Sequence, residues 1–141
     1  NGQRPISVSA TLKQIKPEVY PKVDDEATIV LTYPSATAIL EASWNWPFDR
    51  KDTEIYTQTS SIFANSKELK IRKGGRDASE QSQKLEPIPK PENDSFLYLT
   101  AVVKGEINLK NSLSSLENNL LVVEILEKAI QSAKEGKMVK F

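Results

Sequence analysis

The chain has 141 residues, of which 38% are hydrophobic, and its 19 basic side chains balance 19 acidic ones. That is enough for one ordinary core, with no net charge to draw the chain to nucleic acid or an anionic membrane. Cysteine and histidine are absent, which excludes disulfides, thiolate metal sites and cysteine nucleophiles, and removes the side chain most often used as a base near neutral pH. No apolar run approaches the ~20 residues of a membrane span and no signal-like segment opens the chain, so neither a membrane nor a nucleic-acid partner is expected. Cysteine usage leaves the compartment open, and the expected location is cytoplasmic. Asn1 stands where an initiator Met would, leading directly into a strand, so further polypeptide is expected ahead of it.

From Ile6 to Ile15 the residues Ile6, Val8, Ala10 and Leu12 alternate with Ser7, Ser9, Thr11 and Lys13, the period of a strand with one apolar face. Pro17 and Pro21 then make residues 16–22 an extended connector. The next stretch, Asp24 to Phe48, predicts a hairpin. Ala27, Ile29, Leu31 and Tyr33 share one face of its first strand, and Ala38, Leu40, Ala42, Trp44 and Trp46 share one face of its second. Pro34 sits in the turn between them, and Pro47 is expected to end the second strand. The apolar faces should meet the helices, leaving a Thr28, Thr32, Ser43 and Asn45 face open. Strands are expected at 53–57, 61–64 and 67–72, the last an edge strand guarded by lysines. Residues 76–92 are polar and then regularly interrupted by Pro87, Pro89 and Pro91, which predicts an extended surface crossing.

Asn93 or Asp94 can cap a short helix that stops near Gly105. Ser114 to Glu117 reads as a capping box for a long helix, whose stripe of Leu116, Leu120, Val123, Leu126 or Glu127, Ile130 and Ala133, widened by Leu121, Val122, Ile125 and Ala129, is expected to pack on the sheet before Gly136 ends it. Residues 138–141 predict a closing strand. Strands, then helices, then a strand give an α+β fold: a largely antiparallel, open-faced sheet with helices packed on one face.

The chain offers little chemistry of its own. Gly74 and Gly75 are its only close glycines, and no glycine-rich phosphate loop opens a helix. Asp24, Asp25 and Glu26 point to alternate faces of an extended segment, so they read as a solvated strand start rather than a metal site. Trp44, Asn45 and Trp46 could form a sugar-stacking platform, although packing is the commoner use of such rings. Lys67, Lys70, Arg72, Lys73 and Arg76 read as a solvated edge and loop. Tyr20, Tyr56 and Tyr98 could donate protons, but no spacing pairs them with a base.

The string VDDEATIVLTYPSATAILEASWNWPF, with the segment Thr53–Phe63 and the closing SSLENNLLVVEILEKAIQSAKEGKMVKF, resembles the C-terminal domain of the Gfo/Idh/MocA oxidoreductases, the glucose-fructose oxidoreductase and inositol dehydrogenase family. Ser132, Ala133, Gly136 and Val139 in the last helix and strand add to the resemblance, which covers almost the whole chain. It implies that residues 1–141 are the substrate and oligomerisation domain, cut at its N-terminal end, of a protein whose Rossmann domain binds NAD or NADP. It further implies hydride transfer to or from a small-molecule substrate (a sugar, cyclitol or polyol) and homo-oligomers formed through the open sheet face. The family's catalytic Lys and Asp/His pair map onto no residue here, so the fragment is expected to hold no cofactor and to be inactive alone. By position at a strand end, Trp44, Asn45, Trp46, Arg50 and Lys51 are the candidates to face substrate. The family's Tyr-Gly-x-x-Gly turn is replaced by Tyr56-Thr57-Gln58-Thr59-Ser60, which has neither glycine.

Overall fold

The alternation that begins at Ile6 becomes a strand, and the elements that follow largely obey the sequence pattern. The computed structural model describes residues 3–110 and 112–141. In chain order they form β1 (Ser7–Lys13), β2 (Glu26–Thr32), β3 (Thr37–Ser43), β4 (Asp52–Tyr56), β5 (Ser60–Asn65), β6 (Leu69–Lys73), β7 (Glu80–Gln83), α1 (Ser95–Val103), α2 (Leu116–Glu135) and β8 (Val139–Lys140). The expected α+β class is what is found, with the strands divided between two antiparallel sheets. The chain divides likewise into two compact units, one made of residues up to 47 together with 105–141, the other of residues 48–104.

The first unit holds the sheet β3-β2-β1-β8. Its hairpin register pairs Leu31 with Ala38 and Val8 with Leu31, so the inner faces anticipated from the alternation coincide across three strands. The turn is closed by Tyr33 N–H donating to the Ala36 carbonyl at 2.8 Å. Val8, Leu31 and Ala129 form the buried centre, surrounded by Ala10, Ile29, Tyr33, Ala38, Ile125, Val139 and Phe141.

Helix α2 lies on this sheet through one edge of the wide stripe expected, the side of Ile125 and Ala129. Ala129 and Ser132 are its buried residues, with Ile125 beside them, whereas Leu116, Leu120, Val123 and Ile130 remain exposed. The small side chains at 129 and 132 let the helix axis approach β1, and a hydroxyl then fixes its rotation. β8 pairs with β1 only at Ser7↔Lys140 and Val8↔Val139. Extended by the same register, Ala10 would stand opposite Lys137, but the strand has ended. Ser132 Oγ fills that position: it accepts from Ala10 N–H at 3.1 Å and donates to the Lys137 carbonyl at 2.7 Å, so one side chain carries the ladder across the gap.

The helix ends are capped as the physics of unpaired N–H and C=O groups requires. The N-cap is Ser115, one residue later than the anticipated box, and its hydroxyl accepts from Asn118 N–H. Asn rather than Glu therefore occupies the third position, and the reciprocal box with Glu117 does not form. At the other end Gly136 takes a left-handed φ of 63° and donates to the Ser132 carbonyl, a conformation any Cβ would strain.

The second unit holds the sheet β4-β5-β6-β7. Ile55, Ile62 and Ile71 fall on one face in register, while Tyr56, Ser61, Arg72 and Glu80 line up on the other. β7 was not expected. Its sequence EQSQ has no apolar alternation, and its ladder to β6 is a backbone interaction that composition does not report. The turn at Thr57–Ser60 forms without glycine. Thr57 N–H donates to the Ser60 carbonyl at 2.8 Å, and Thr57 Oγ1 accepts from Ser60 N–H at 3.0 Å, so a hydroxyl stabilises what glycines do elsewhere by conformational freedom. Helix α1 is capped by Asp94, whose carboxylate accepts from Phe96 and Leu97 N–H.

Candidate functional site

The end of the hairpin gathers more polar structure than any other part of the first unit. Strand β3 stops at Ser43, so Trp44 and Trp46 do not continue its apolar face and do not enter the core, contrary to the reading from alternation. The reason is a competing set of hydrogen bonds centred on Asp25. Its carboxylate accepts from Ile15 N–H at 2.7 Å and Lys16 N–H at 2.8 Å, its carbonyl accepts from Trp44 N–H at 2.9 Å, and its own N–H donates to the Lys13 carbonyl at 3.0 Å. Asp25 is 3% exposed, a buried clamp rather than the solvated strand start its neighbours suggest. It closes both stems of the excursion 14–25, and this loop carries Tyr20 to Trp44, where the rings meet with centroids 4.9 Å apart and planes tilted by 51°. The outer part of Trp44 stays open, at 60% exposure.

Asn45 follows at the centre of this network. Its amide donates to the Asp25 carbonyl at 3.2 Å and to Glu26 at 3.1 Å, and its N–H donates to Ser43 Oγ at 3.0 Å. Ser43 in turn donates to Glu26. Ser43 and Asn45 are thus half-buried and engaged, not part of an open polar face. The Asn45 Oδ1 is buried and takes no hydrogen bond.

Burial would push the Asp25 carboxyl up, but the N–H bonds from Ile15 and Lys16, with help from Asn45, outweigh it and hold the group below its ordinary 3.8. Glu26 is likewise held below 4.5, first by Ser43 and then by Asn45. Both stay ionised near neutral pH, so this corner accepts hydrogen bonds and supplies no general acid. Because the folded state binds the Asp25 proton more weakly than the unfolded chain, the clamp's contribution to stability is complete above about pH 4 and is lost as the pH falls through the folded value. Urea midpoints measured at pH 6 and pH 3 should therefore differ much more for the native chain than for Asp25→Ala; equal losses in both would show that the clamp is not coupled to the proton.

Arg50 and Lys51, the other expected substrate-facing residues, belong to the second unit. Arg50 Nε donates to both oxygens of Asp52 at 3.0 Å, and Lys51 is exposed. In the same unit an open cavity of about 360 Å³ lies over the polar face of β4–β7. Tyr56 donates to Glu54 at 2.6 Å, Lys70 pairs with Glu68 at 3.0 Å and lies 5.7 Å from the Phe63 ring centre, and Arg72 pairs with Glu80 at 4.0 Å. The bond to Glu54 pushes the Tyr56 phenol above 10, so it stays protonated near neutral pH with its proton engaged by Glu54.

Asp25, Glu26 and Ser43 were not singled out as a cluster from the sequence. The signal was present in the turn: a hairpin closed at Pro34 and Ser35 sets Glu26 opposite Ser43 and therefore Asp25 beside Trp44. Among the described residues no group of three or more Asp or Glu side chains could hold a metal ion. Gly74, at φ 117°, follows β6 and donates to the Thr59 carbonyl at 2.9 Å, so it prolongs a sheet instead of opening a helix toward a phosphate. The residues present do not fit a dinucleotide.

Residues 1–63 match the family model described as the GFO/IDH/MocA C-terminal domain. That is 63 of the chain's 141 residues. Three solved structures share its fold. A protein from Klebsiella pneumoniae assigned as an oxidoreductase matches with a TM-score of 0.72 at 17% identity, over 97% of this chain and 44% of its own. One from Thermotoga maritima, assigned in the same way, gives 0.77 at 17%, over 97% and 41%. GenD2 of gentamicin A biosynthesis, solved in complex with NAD, gives 0.56 at 16%, over 97% and 42%. This chain therefore spans less than half the length of these chains. No curated protein matches it, and no described helix is long and apolar enough to cross a membrane.

Proposed function

We propose that this chain is the substrate-binding and oligomerisation half of an NAD(P)-dependent oxidoreductase acting on a sugar, cyclitol or polyol. The observation that carries the reading is the family match over residues 1–63. In this reading a Rossmann half, elsewhere in the same cytoplasmic polypeptide, binds NAD or NADP and holds the catalytic groups. A carbinol carbon of the substrate gives its hydride to the nicotinamide and its hydroxyl proton to a base outside this chain. This chain supplies a wall. Trp44 presents an apolar ring face of the kind that stacks on a sugar, Asn45 and the ionised Glu26 accept or donate hydrogen bonds to hydroxyls, and Trp46, Arg50 and Lys51 are further candidates to face substrate. Ser9, Thr11, Thr28, Thr32 and Ile39 leave an open sheet face for a second copy.

The isolated chain should not enhance NADH or NADPH fluorescence and should be catalytically silent, while the full-length protein should reduce NAD or NADP in the presence of a polyol. There Trp44→Ala should raise KM about tenfold with a smaller effect on kcat, as expected for a ring that binds ground and transition states alike. Tight binding of NADH by the isolated chain would refute the reading. The exposed Trp44 ring backed by the half-buried Tyr20 favours one alternative, a free-standing carbohydrate-binding module, and saturable sugar quenching of Trp44 fluorescence in the isolated chain would select it.

A further inference from the structure

Strand β3 is the outer strand of its sheet, and its ladder to β2 uses only half of its backbone groups. Tyr33 N–H donates to the Ala36 carbonyl at one end of the hairpin, and Trp44 N–H donates to the Asp25 carbonyl at the other. Bonded pairs in an antiparallel ladder recur at every second residue, so both ends give one phase. Ala38, Leu40 and Ala42 aim their N–H and C=O groups at β2, and Thr37, Ile39, Glu41 and Ser43 aim theirs outward. Such an edge is a template for another strand unless something blunts it. The opposite edge of the sheet is blunted, since β8 is two residues long and includes Lys140. β3 has no such protection: it is seven residues long, contains no Pro, Gly, Lys or Arg, and leaves Ile39 67% and Leu40 47% exposed.

This edge is complementary to itself. In an antiparallel pair about a two-fold axis at Leu40, Ile39 meets Glu41 of the second copy and Thr37 meets Ser43, so residues with outward groups face one another along the whole strand. On the inner face Leu40 meets its own image as a close pair, with Ala38 against Ala42 on either side to leave it room. Glu41 is the only charge on the strand, and in this register it stands across from Ile39. A two-fold at Glu41 would set two carboxylates opposite each other, and one at Ile39 would leave Ser43 beyond the ladder. We propose that copies of this chain join edge to edge, β3 pairing antiparallel with β3 of a second copy about Leu40, so that two sheets become one. The contact uses backbone groups at the rim of the sheet, not its open face, and holds whether or not the chain serves an oxidoreductase. It also brings Ala36 of the second copy opposite Trp44, so the hairpin turn of one copy flanks the candidate site of the other.

A single strand pair is a small contact and its association weak, so amide hydrogen exchange is read residue by residue at about 20 µM and about 1 mM chain, with sedimentation alongside. The Ala38, Leu40 and Ala42 amides face β2 and should be protected at both concentrations, which also reports an intact hairpin. Those of Ile39 and Glu41 should exchange about tenfold more slowly at the higher concentration. Glu41→Pro removes one outward N–H and spares the ladder to β2, so it should abolish the slowing at Ile39. Leu40→Arg sets two cations face to face and should return the chain to a monomer with fast exchange at both amides, even if the native dimer persists at 20 µM. Thr28→Arg, on the open face, should change neither. Exchange that ignores concentration in a monomeric chain overturns the proposal, as does a dimer in which Ile39 and Glu41 exchange fast. Protection that survives Leu40→Arg means that the same chain covers its own edge, and association lost in Thr28→Arg but kept in Glu41→Pro puts the contact on the open face; either result overturns it too.

Discussion

Leu31→Ala should destabilise the first unit by about 3 kcal/mol. Leu31 is 4% exposed, and its only fully sequestered apolar neighbours among the described residues are Val8 and Ala129. Neither can expand to fill the space: Val8 is a β-branched side chain fixed in the sheet, and Ala129 has no rotamer to change. The loss should therefore include the cavity as well as the buried area. Trp44 and Trp46 both lie in the first unit, so their fluorescence in urea reports on it without contribution from the second. A change below about 1 kcal/mol would mean that the sheet and α2 close over the gap, and that the helix is held less firmly than its contacts imply.

Ser132→Ala should cost about 2 kcal/mol, nearly as much, although it removes a single oxygen. The hydroxyl is 1% exposed and serves two backbone groups at once, Ala10 N–H and the Lys137 carbonyl. Its loss leaves both unpaired at a site that water reaches poorly, and the penalty of an unsatisfied buried group exceeds the net value of the bond it replaces. Ser132→Thr retains the oxygen and should recover part of the loss, limited by the added methyl. Exchange of the Ala10 amide gives the more specific reading: it should accelerate strongly in Ser132→Ala and much less in Leu31→Ala at matched stability. Equal acceleration in both would reduce the serine to a packing residue.

These two positions also show how far the amino-acid pattern reaches. The period-two runs located β1, β2 and β3 to within two or three residues and assigned Leu31 to the inner face, because alternation and burial are the same physical fact seen twice. The pattern drew the contact stripe of α2 too wide: it held Ile125 and Ala129, which meet the sheet, together with Leu116, Leu120 and Val123, which do not. Leu116, Leu120 and Val123 are the more hydrophobic stripe, yet Ala129 and Ser132 pack closer because they are small, and a hydrophobicity count cannot register the value of a missing side chain. β7 escaped for the opposite reason, since its four polar residues owe their conformation to β6. At the candidate site the two indoles were misplaced by one assumption, that β3 continues to Pro47. Asp25 ends the strand earlier by taking Trp44 N–H onto its own carbonyl. The tertiary partner of a backbone group is not written in local alternation, although the register of a short turn does carry it. Arg50 and Lys51 were chosen by adjacency to Trp46, and the unit boundary near residue 47 has no composition signal beyond one proline.

The clamp at Asp25 has a further meaning for how such a domain can change. Lys13 pairs directly with Glu26, so the sheet closes without reference to what lies between them, and one carboxylate anchors both stems of the intervening loop. Residues 17–23 can then be lengthened, shortened or rewritten at small cost in closure entropy while β1 and β2 keep their register. The loop tip rests against Trp44, beside the surface proposed to meet substrate. The fold therefore separates a hydrogen-bonded frame from an interchangeable loop, and exchanging that loop would change the surface beside Trp44 without refolding the rest.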